Sequence, residues 1–174
     1  VLKGEALEEA FAGFIIKDNQ MMKSCCWEIL KPQWNTIPQD YHEAAVKQYV
    51  KCVYDRAGSS KRVQLLFDML EELVKYSLVS PKVVCECLLL CEGLSWKKED
   101  LWCQTMHLIR RIIGGVDYKG VRDLLRIILE RTATIPSCEN VNTLAVVTSA
   151  LKVVSYILDR NSCLLPSYFA VNEI

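Results

Sequence analysis

The sequence has few of the residues that interrupt regular structure, with only seven glycines and five prolines in 174 residues. This scarcity argues against disorder and against an all-β fold rich in turns. Charge of either sign is not in excess, because 21 Lys and Arg balance 21 Asp and Glu. No apolar run approaches the roughly 20 residues of a membrane-spanning helix. We therefore expect neither nucleic acid nor a membrane as a direct partner.

Catalytic residue patterns are also scarce. There are only two histidines, His42 and His107, and no Cys-x-x-Cys motif among the nine cysteines. Most cysteines lie in apolar runs, which favours reduced, buried thiols. Cys85, Cys87 and Cys91 suggest metal ligands, but a helix places Cys85 nearly opposite the other two. We expect no metal, no cofactor and no enzyme activity, with a Cys/His thiol enzyme as the less favoured alternative.

The residues that are present recur at helical spacing, and no convincing strand pattern appears. Start and stop signals predict an all-α fold of eight to nine helices in a single segment, 1–174. Thr36 and Gln39 suggest a capping box, Ser80-Pro81 a helix start, Gly93 a helix end and Ser95 a cap. The predicted helices cover 5–16, 18–30, 39–56, 59 onward, 81–92, 96–113, 117–133 and 140–160, and a truncated one follows Pro166.

Helices three to eight pair into units that start near residues 39, 81 and 117. A spacing of about forty residues matches helical hairpins of the HEAT or armadillo type, hence an α-solenoid segment, with a compact helical bundle as the alternative. Since the chain starts at Val1 and stops in an apolar stretch at Ile174, we expect it to be a piece of a longer helical-repeat chain.

A corner lies between two of these helices, in the stretch 112–130 (IIGGVDYKGVRDLLRIILE). Gly114 and Gly115 can adopt a positive φ that stops a helix. Asp117 can cap the next helix, and Gly120 could permit the close approach of a neighbouring helix. A phosphate-binding loop is less favoured, because the Gly-Lys-Ser/Thr ending is missing.

Two helix faces carry specific expectations. In the helix before the corner, Cys103, His107, Arg110 and Arg111 are expected to face away from the core. In the helix over 140–160, the predicted inward stripe is Leu144, Val147, Leu151, Val154 and Leu158.

Five cations surround the corner and are candidate interaction residues: Arg110, Arg111, Lys119, Arg122 and Arg126. The favoured interpretation is a solvated face, because Asp123 and Glu130 are interspersed. The alternative is a basic patch for an acidic or phosphorylated segment. The aromatic interleaving that stacks RNA bases is not evident.

Several stretches resemble the N-terminal region of the Mediator complex subunit 23 family. The corner stretch is one of them, together with TIP at 134–136 and YILDRNSCLLPSYFAVNEI at 156–174. Weaker matches are SSKRVQLLFDML at 59–70 and LVSPKVVCECLL at 78–89. Before residue 55 the resemblance rests mostly on where the residues lie in the chain and not on a shared motif.

The resemblance implies a nuclear, non-enzymatic, HEAT-like array that is the amino-terminal part of a much longer chain. It implies a scaffold in the Mediator co-activator that relays signals from DNA-bound activators to RNA polymerase II. The implied partners are other Mediator subunits and activation domains, among them ETS-type factors and an adenoviral transactivator, with RNA polymerase II as an indirect partner. No binding residue of the family transfers to a position here. The alternative function is an RNA-binding or other protein-protein adaptor of the helical-repeat class.

Overall fold

The structure is a computed structural model that describes residues 36, 38–56, 60–136 and 141–160. Over those residues it is all-helical, without strands, which confirms the predicted fold class. The predicted helices at 5–16, at 18–30 and after Pro166 lie outside the described residues. The elements are α1 (Gln39–Arg56), α2 (Ser60–Lys75), α3 (Pro81–Leu90), α4 (Glu99–Ile112), a 3-10 turn (Ile113–Gly115), α5 (Tyr118–Ala133) and α6 (Val141–Arg160).

The chain divides between Leu94 and Ser95 into two compact units. In the N-terminal unit, α3 packs against both α1 and α2. Tyr54 of α1 is buried and its hydroxyl donates a hydrogen bond of 3.2 Å to the backbone carbonyl of Leu88 in α3. Its ring meets Phe67 of α2 edge to face, with centroids 6.3 Å apart. Tyr54 therefore joins the three helices of this unit.

The sequence predicts the start of α3 but not the left-handed residue that follows α2. Pro81 opens α3 and Ser80 is its N-cap residue, as expected, although the Ser80 side chain makes no capping hydrogen bond. Ser77 ends α2 with a φ of 57°, and the Leu78 N–H donates to the Leu73 carbonyl. This is the left-handed stop that usually selects glycine, so the sequence carries no glycine signal for it.

The prediction that Gly93 ends the helix beginning at Pro81 is wrong. The helix α3 ends at Leu90, and Cys91 is already extended, with φ −67° and ψ 129°. No described glycine has a positive φ. Gly93 instead lies against α1, where an added Cβ would be 2.7 Å from the Cβ of Tyr54. Glycine is required here by close packing and not by backbone conformation.

In the C-terminal unit, α4 and α6 lie side by side and run in the same direction. The indole N–H of buried Trp102 donates a 3.1 Å hydrogen bond to the Val146 carbonyl. Eight residues further along α4 and ten further along α6, the Arg110 guanidinium lies 5.6 Å from the ring centroid of Tyr156. The intervening helix α5 also packs against α6.

The corner before α5 is built differently from the expectation. Gly114 and Gly115 do not adopt a positive φ, because the chain leaves α4 through a 3-10 turn that needs no left-handed residue. Asp117 is the N-cap of α5 and accepts a 2.8 Å hydrogen bond from the Gly120 N–H. Gly120 is buried, and its proposed role in close helix packing stays a prediction.

Two further expectations in this unit are wrong. Ser95 does not cap α4, which begins at Glu99 with Lys98 as N-cap residue. The Ser95 hydroxyl accepts from the Lys97 N–H at 3.3 Å, so it stabilises the preceding turn.

The inward face of α6 is also displaced by one position from the prediction. Leu144 and Leu151 are 55% and 51% exposed, and Val147, Val154 and Leu158 are only partly buried. The buried stripe is Thr143, Val146, Ala150, Val153 and Ile157. These short or β-branched side chains let α6 lie close to the bulky Trp102 of α4, as the indole hydrogen bond to the Val146 backbone requires.

The HEAT-like stacking of hairpins stays a prediction. Within the part of the chain that the structure describes, no helix is long and apolar enough to cross a membrane.

Candidate functional site

A groove of about 390 Å³ lies between α4 and α6 in the C-terminal unit. One wall comes from α4, where residues spaced three and four apart share a face, and the other wall comes from α6. The lining residues are Cys103, Met106, His107 and Arg110 from α4, and Leu144, Ala145, Thr148, Ser149, Lys152 and Val153 from α6. The groove is therefore a direct product of the parallel pairing of these two helices.

The lining combines apolar and cationic groups. Met106 and Val153 are buried, whereas Leu144 is 55% exposed. Arg110 and Lys152 are both exposed, and none of the lining residues is Asp or Glu. The groove thus has an apolar floor beside a positively charged rim.

Polar groups inside the groove are partly satisfied by the helix backbone. The Ser149 hydroxyl donates a 2.7 Å hydrogen bond to the Val146 carbonyl. The Cys103 thiol donates to the Ala145 carbonyl with a distance of 3.9 Å. These groups are therefore less available to a ligand than the rim cations.

At the carboxyl end of the groove, two guanidinium groups surround Tyr156. Arg110 lies 5.6 Å and Arg160 lies 5.2 Å from the ring centroid, and Arg160 also donates a hydrogen bond to the Tyr156 hydroxyl. An added Cβ at Gly114 would be 3.0 Å from the Arg160 Nη1 atom. Stacking on an aromatic ring restricts an arginine side chain, so Arg110 is held at the rim.

The structure places the five predicted cations in two groups. Arg110 and Arg111 are exposed in the last turn of α4, and Arg110 lines the groove. Lys119, Arg122 and Arg126 are exposed on α5 and do not line the groove. Of the five predicted cations, one, Arg110, therefore lines the groove.

Sequence reasoning missed Lys152 and Arg160. Both lie on α6, whose phase was predicted wrongly, so neither could be assigned to the face beside α4. The available signal for Arg160 was Tyr156, four residues earlier, at a spacing that brings two helical side chains together.

Cys85, Cys87, Cys91 and Cys103 are not in disulfides. Burial raises the pKa of the Cys87 thiol to about 11, with Glu43 and Glu86 adding to the shift. Burial also raises the pKa of Cys85 and of Cys103. A thiol nucleophile needs the opposite shift. Within the described residues, no group of three or more His, Cys, Asp or Glu could hold a metal ion.

The described residues define an all-helical segment whose paired helices α4 and α6 carry an apolar, cation-rimmed groove. A family model described as Mediator complex subunit 23 matches residues 1–174. The chain belongs to the Mediator complex subunit 23 family.

Relatives in vertebrates and insects agree with this assignment. The chain is 44% identical to "Mediator of RNA polymerase II transcription subunit 23" of Danio rerio over 177 residues, which cover 100% of this chain and 13% of that protein. The protein of the same name from Homo sapiens is 41% identical, with the same coverage. That from Drosophila melanogaster is 30% identical over 176 residues, which cover 99% of this chain and 12% of that protein. The chain thus spans about an eighth of the length of these relatives.

Proposed function

We propose that this chain is a non-enzymatic scaffold segment of the Mediator complex in the nucleus. It contacts other Mediator subunits and presents docking surfaces for the activation domains of transcription factors. In this way it helps to relay signals from DNA-bound activators to RNA polymerase II. The observation that carries the proposal is the family match over residues 1–174.

The geometry of the C-terminal unit supports a docking role. Side chains that face solvent on α6 include two leucines, Leu144 and Leu151, although an isolated surface helix usually presents polar residues there. An apolar groove beside exposed cations is suited to hold another polypeptide. The five cations Arg110, Arg111, Lys119, Arg122 and Arg126 are the proposed interaction residues around the corner, whose shape depends on Gly114, Gly115, Asp117 and Gly120.

The state of the thiols supports a role without catalysis. Cys103 and His107 are four residues apart on α4 and both line the groove, which is the arrangement that a thiol enzyme would use. Burial nevertheless raises the pKa of Cys103. A neutral thiol is a poor nucleophile, so this pair is better suited to contact than to chemistry.

The test is affinity purification of the epitope-tagged full-length protein from nuclear extract. We expect the other Mediator subunits to co-purify with it. An extract depleted of the protein should keep basal transcription and lose part of its activator-dependent transcription, and adding the protein back should restore the response. Absence of Mediator subunits from the purified material would contradict the proposal.

The RNA-binding alternative predicts a different result. Filter binding of the full-length protein to single-stranded RNA should then be tight and should weaken steeply with salt, because phosphate contacts release counterions. We expect weak binding that does not discriminate between the parent and a variant in which the five cations are replaced by glutamine.

A further inference from the structure

The groove between α4 and α6 constrains the length of what it can hold. The α4 wall extends from Cys103 to Arg110 and the α6 wall from Leu144 to Val153. At 1.5 Å per residue these walls are about 10 and 13 Å long. That length accommodates two to three turns of a helix, or a few large side chains projecting from one face of it.

The floor and the rim constrain its chemistry. Leu144 and the half-buried Ala145 offer apolar contact above the buried Met106 and Val153, while Arg110 and Lys152 offer positive charge and no carboxylate lines the groove. The matching surface is a row of apolar side chains flanked by Asp and Glu. An amphipathic helix with an acidic polar face presents that pattern on one side.

The charge of the surrounding unit points in the same direction. Over residues 95–174 there are ten Lys and Arg against eight Asp and Glu, whereas residues 1–94 carry eleven against thirteen. A positive unit attracts an acidic segment during encounter as well as in the complex. Arg110, stacked on Tyr156, loses less side-chain freedom on binding than an unrestrained arginine.

Nucleic acid fits the groove less well. Its lining includes no Phe, Tyr or Trp side chain on which a base could stack. The apolar floor would also gain little from contact with a phosphate backbone.

We propose that the groove between α4 and α6 binds an acidic amphipathic helix of a partner protein. Leu144 contacts the apolar face of that helix, and Arg110 and Lys152 pair with its carboxylates. The inference deepens the proposed docking function and rests on it, since it names the surface and the chemistry of the partner.

The experiment uses the full-length protein and a fluorescein-labelled 20-residue probe peptide. The peptide carries leucines at positions i, i+3, i+4 and i+7 and Asp or Glu on the remaining face. A scrambled peptide of the same composition removes the helical period and keeps the charge. Fluorescence anisotropy gives the Kd of each, and a photoreactive group on the peptide, read by mass spectrometry, gives the residues contacted.

Two variants of the groove test its two features. Arg110→Glu with Lys152→Glu reverses the rim charge and should weaken binding about tenfold, because each change removes an attraction and adds a repulsion. Leu144→Asp should weaken it at least about fivefold through the lost apolar contact. The matched control is Lys51→Glu with Lys75→Glu, the same charge change at exposed positions of α1 and α2, which should leave the Kd within about twofold. Circular dichroism checks that all variants retain the parent helix content.

Cross-links confined to residues 103–110 and 144–153, together with this order of affinities, support the proposal. Any one of four results would overturn it: the scrambled peptide binds equally well, the control variant weakens binding equally, the cross-links form elsewhere, or RNA binds preferentially. If the peptide does not bind while the protein still co-purifies with Mediator, the groove inference is wrong and the proposed function is unaffected. If co-purification itself fails, the proposed function is wrong.

Discussion

Trp102 is the residue on which the pairing of α4 and α6 depends most, and its replacement by phenylalanine gives a sharp prediction. The side chain is 1% exposed, and its indole N–H donates to the Val146 carbonyl at 3.1 Å. Loss of that hydrogen bond should cost about 1 kcal/mol. Loss of the second ring should add about 1–2 kcal/mol through the incompletely filled space.

The Val146 carbonyl, which loses the indole donor, adds little to this loss in the free energy of unfolding. Val146 also accepts a 2.7 Å hydrogen bond from the Ser149 hydroxyl, so Trp102→Phe does not leave a buried acceptor without a donor. We therefore expect a loss of about 2–3 kcal/mol in the free energy of unfolding. Trp102→Ala should cost about 3–5 kcal/mol, because it opens a larger cavity.

Urea denaturation followed by far-ultraviolet circular dichroism measures these losses. Hydrogen exchange of the α4 and α6 amides then shows whether the destabilisation lies in the C-terminal unit. The matched control is Trp96→Phe, because Trp96 is only half-buried, with the Lys97 ammonium 5.8 Å from its ring. That change should cost less than about 1 kcal/mol. A Trp102→Phe loss below about 0.5 kcal/mol would refute the reasoning, since the indole would then not hold the two helices together.

Three other changes follow from single contacts. Gly93→Ala should destabilise by about 1–3 kcal/mol in urea denaturation, because its Cβ would be 2.7 Å from the Tyr54 Cβ. Asp117→Ala should cost about 1 kcal/mol in the same assay, since the capping bond to the Gly120 N–H is lost. Iodoacetamide should alkylate Cys87 slowly at pH 8 and faster with each unit up to about pH 11, following its raised pKa.

Each of these has a control and a contrary outcome. Gly114→Ala should cost less than Gly93→Ala, because its Cβ would meet the side-chain ends of Arg160 and Tyr156 at 3.0 and 3.6 Å, against 2.7 Å for the Cβ of Tyr54 at Gly93. Asp117→Asn should keep most of the cap, and a loss equal to that of Asp117→Ala would exclude capping as the cause. Because the Cys87 pKa is raised in the folded state, the unfolded state loses its proton first. The stability that Cys87 contributes is therefore present below about pH 8.5 and is lost as the pH rises to about 11. Stability that increased with pH over that range would contradict the assignment.

The sequence predicted the starts of α3 and α5 correctly, because the chemistry of a single side chain indicates each of them. Pro81 cannot continue a preceding helix but fits the first turn of the next, and it opens α3 as predicted. Asp117 supplies an acceptor for the free N–H groups of α5. Glycine was less informative, because it serves conformation and close packing alike. Gly93 serves packing, whereas the left-handed stop after α2 is made by Ser77.

The face of α6 could not be predicted, because two apolar stripes differ by one position. Leucines dominate one stripe, and that stripe was predicted inward on the basis of hydrophobicity. The choice is made by the neighbouring helix, because the Trp102 indole bonds to the Val146 carbonyl and so turns the stripe that contains Val146 inward. The groove was missed for the same reason. Its α6 wall, including Lys152, belongs to the face that the prediction oriented wrongly.

The exposure of Leu144 and Leu151 distinguishes a docking surface on α6 from a buried core face. If Leu144 were a core residue, its replacement by aspartate would bury a charge and reduce stability by several kcal/mol. At 55% exposure, the same change places the carboxylate in water, and the cost to folding should be small. The cost should appear in binding, since the aspartate would face the apolar side of an acidic partner helix. A variant that keeps its stability and loses affinity therefore argues that this stripe of α6 is retained for contact with another chain.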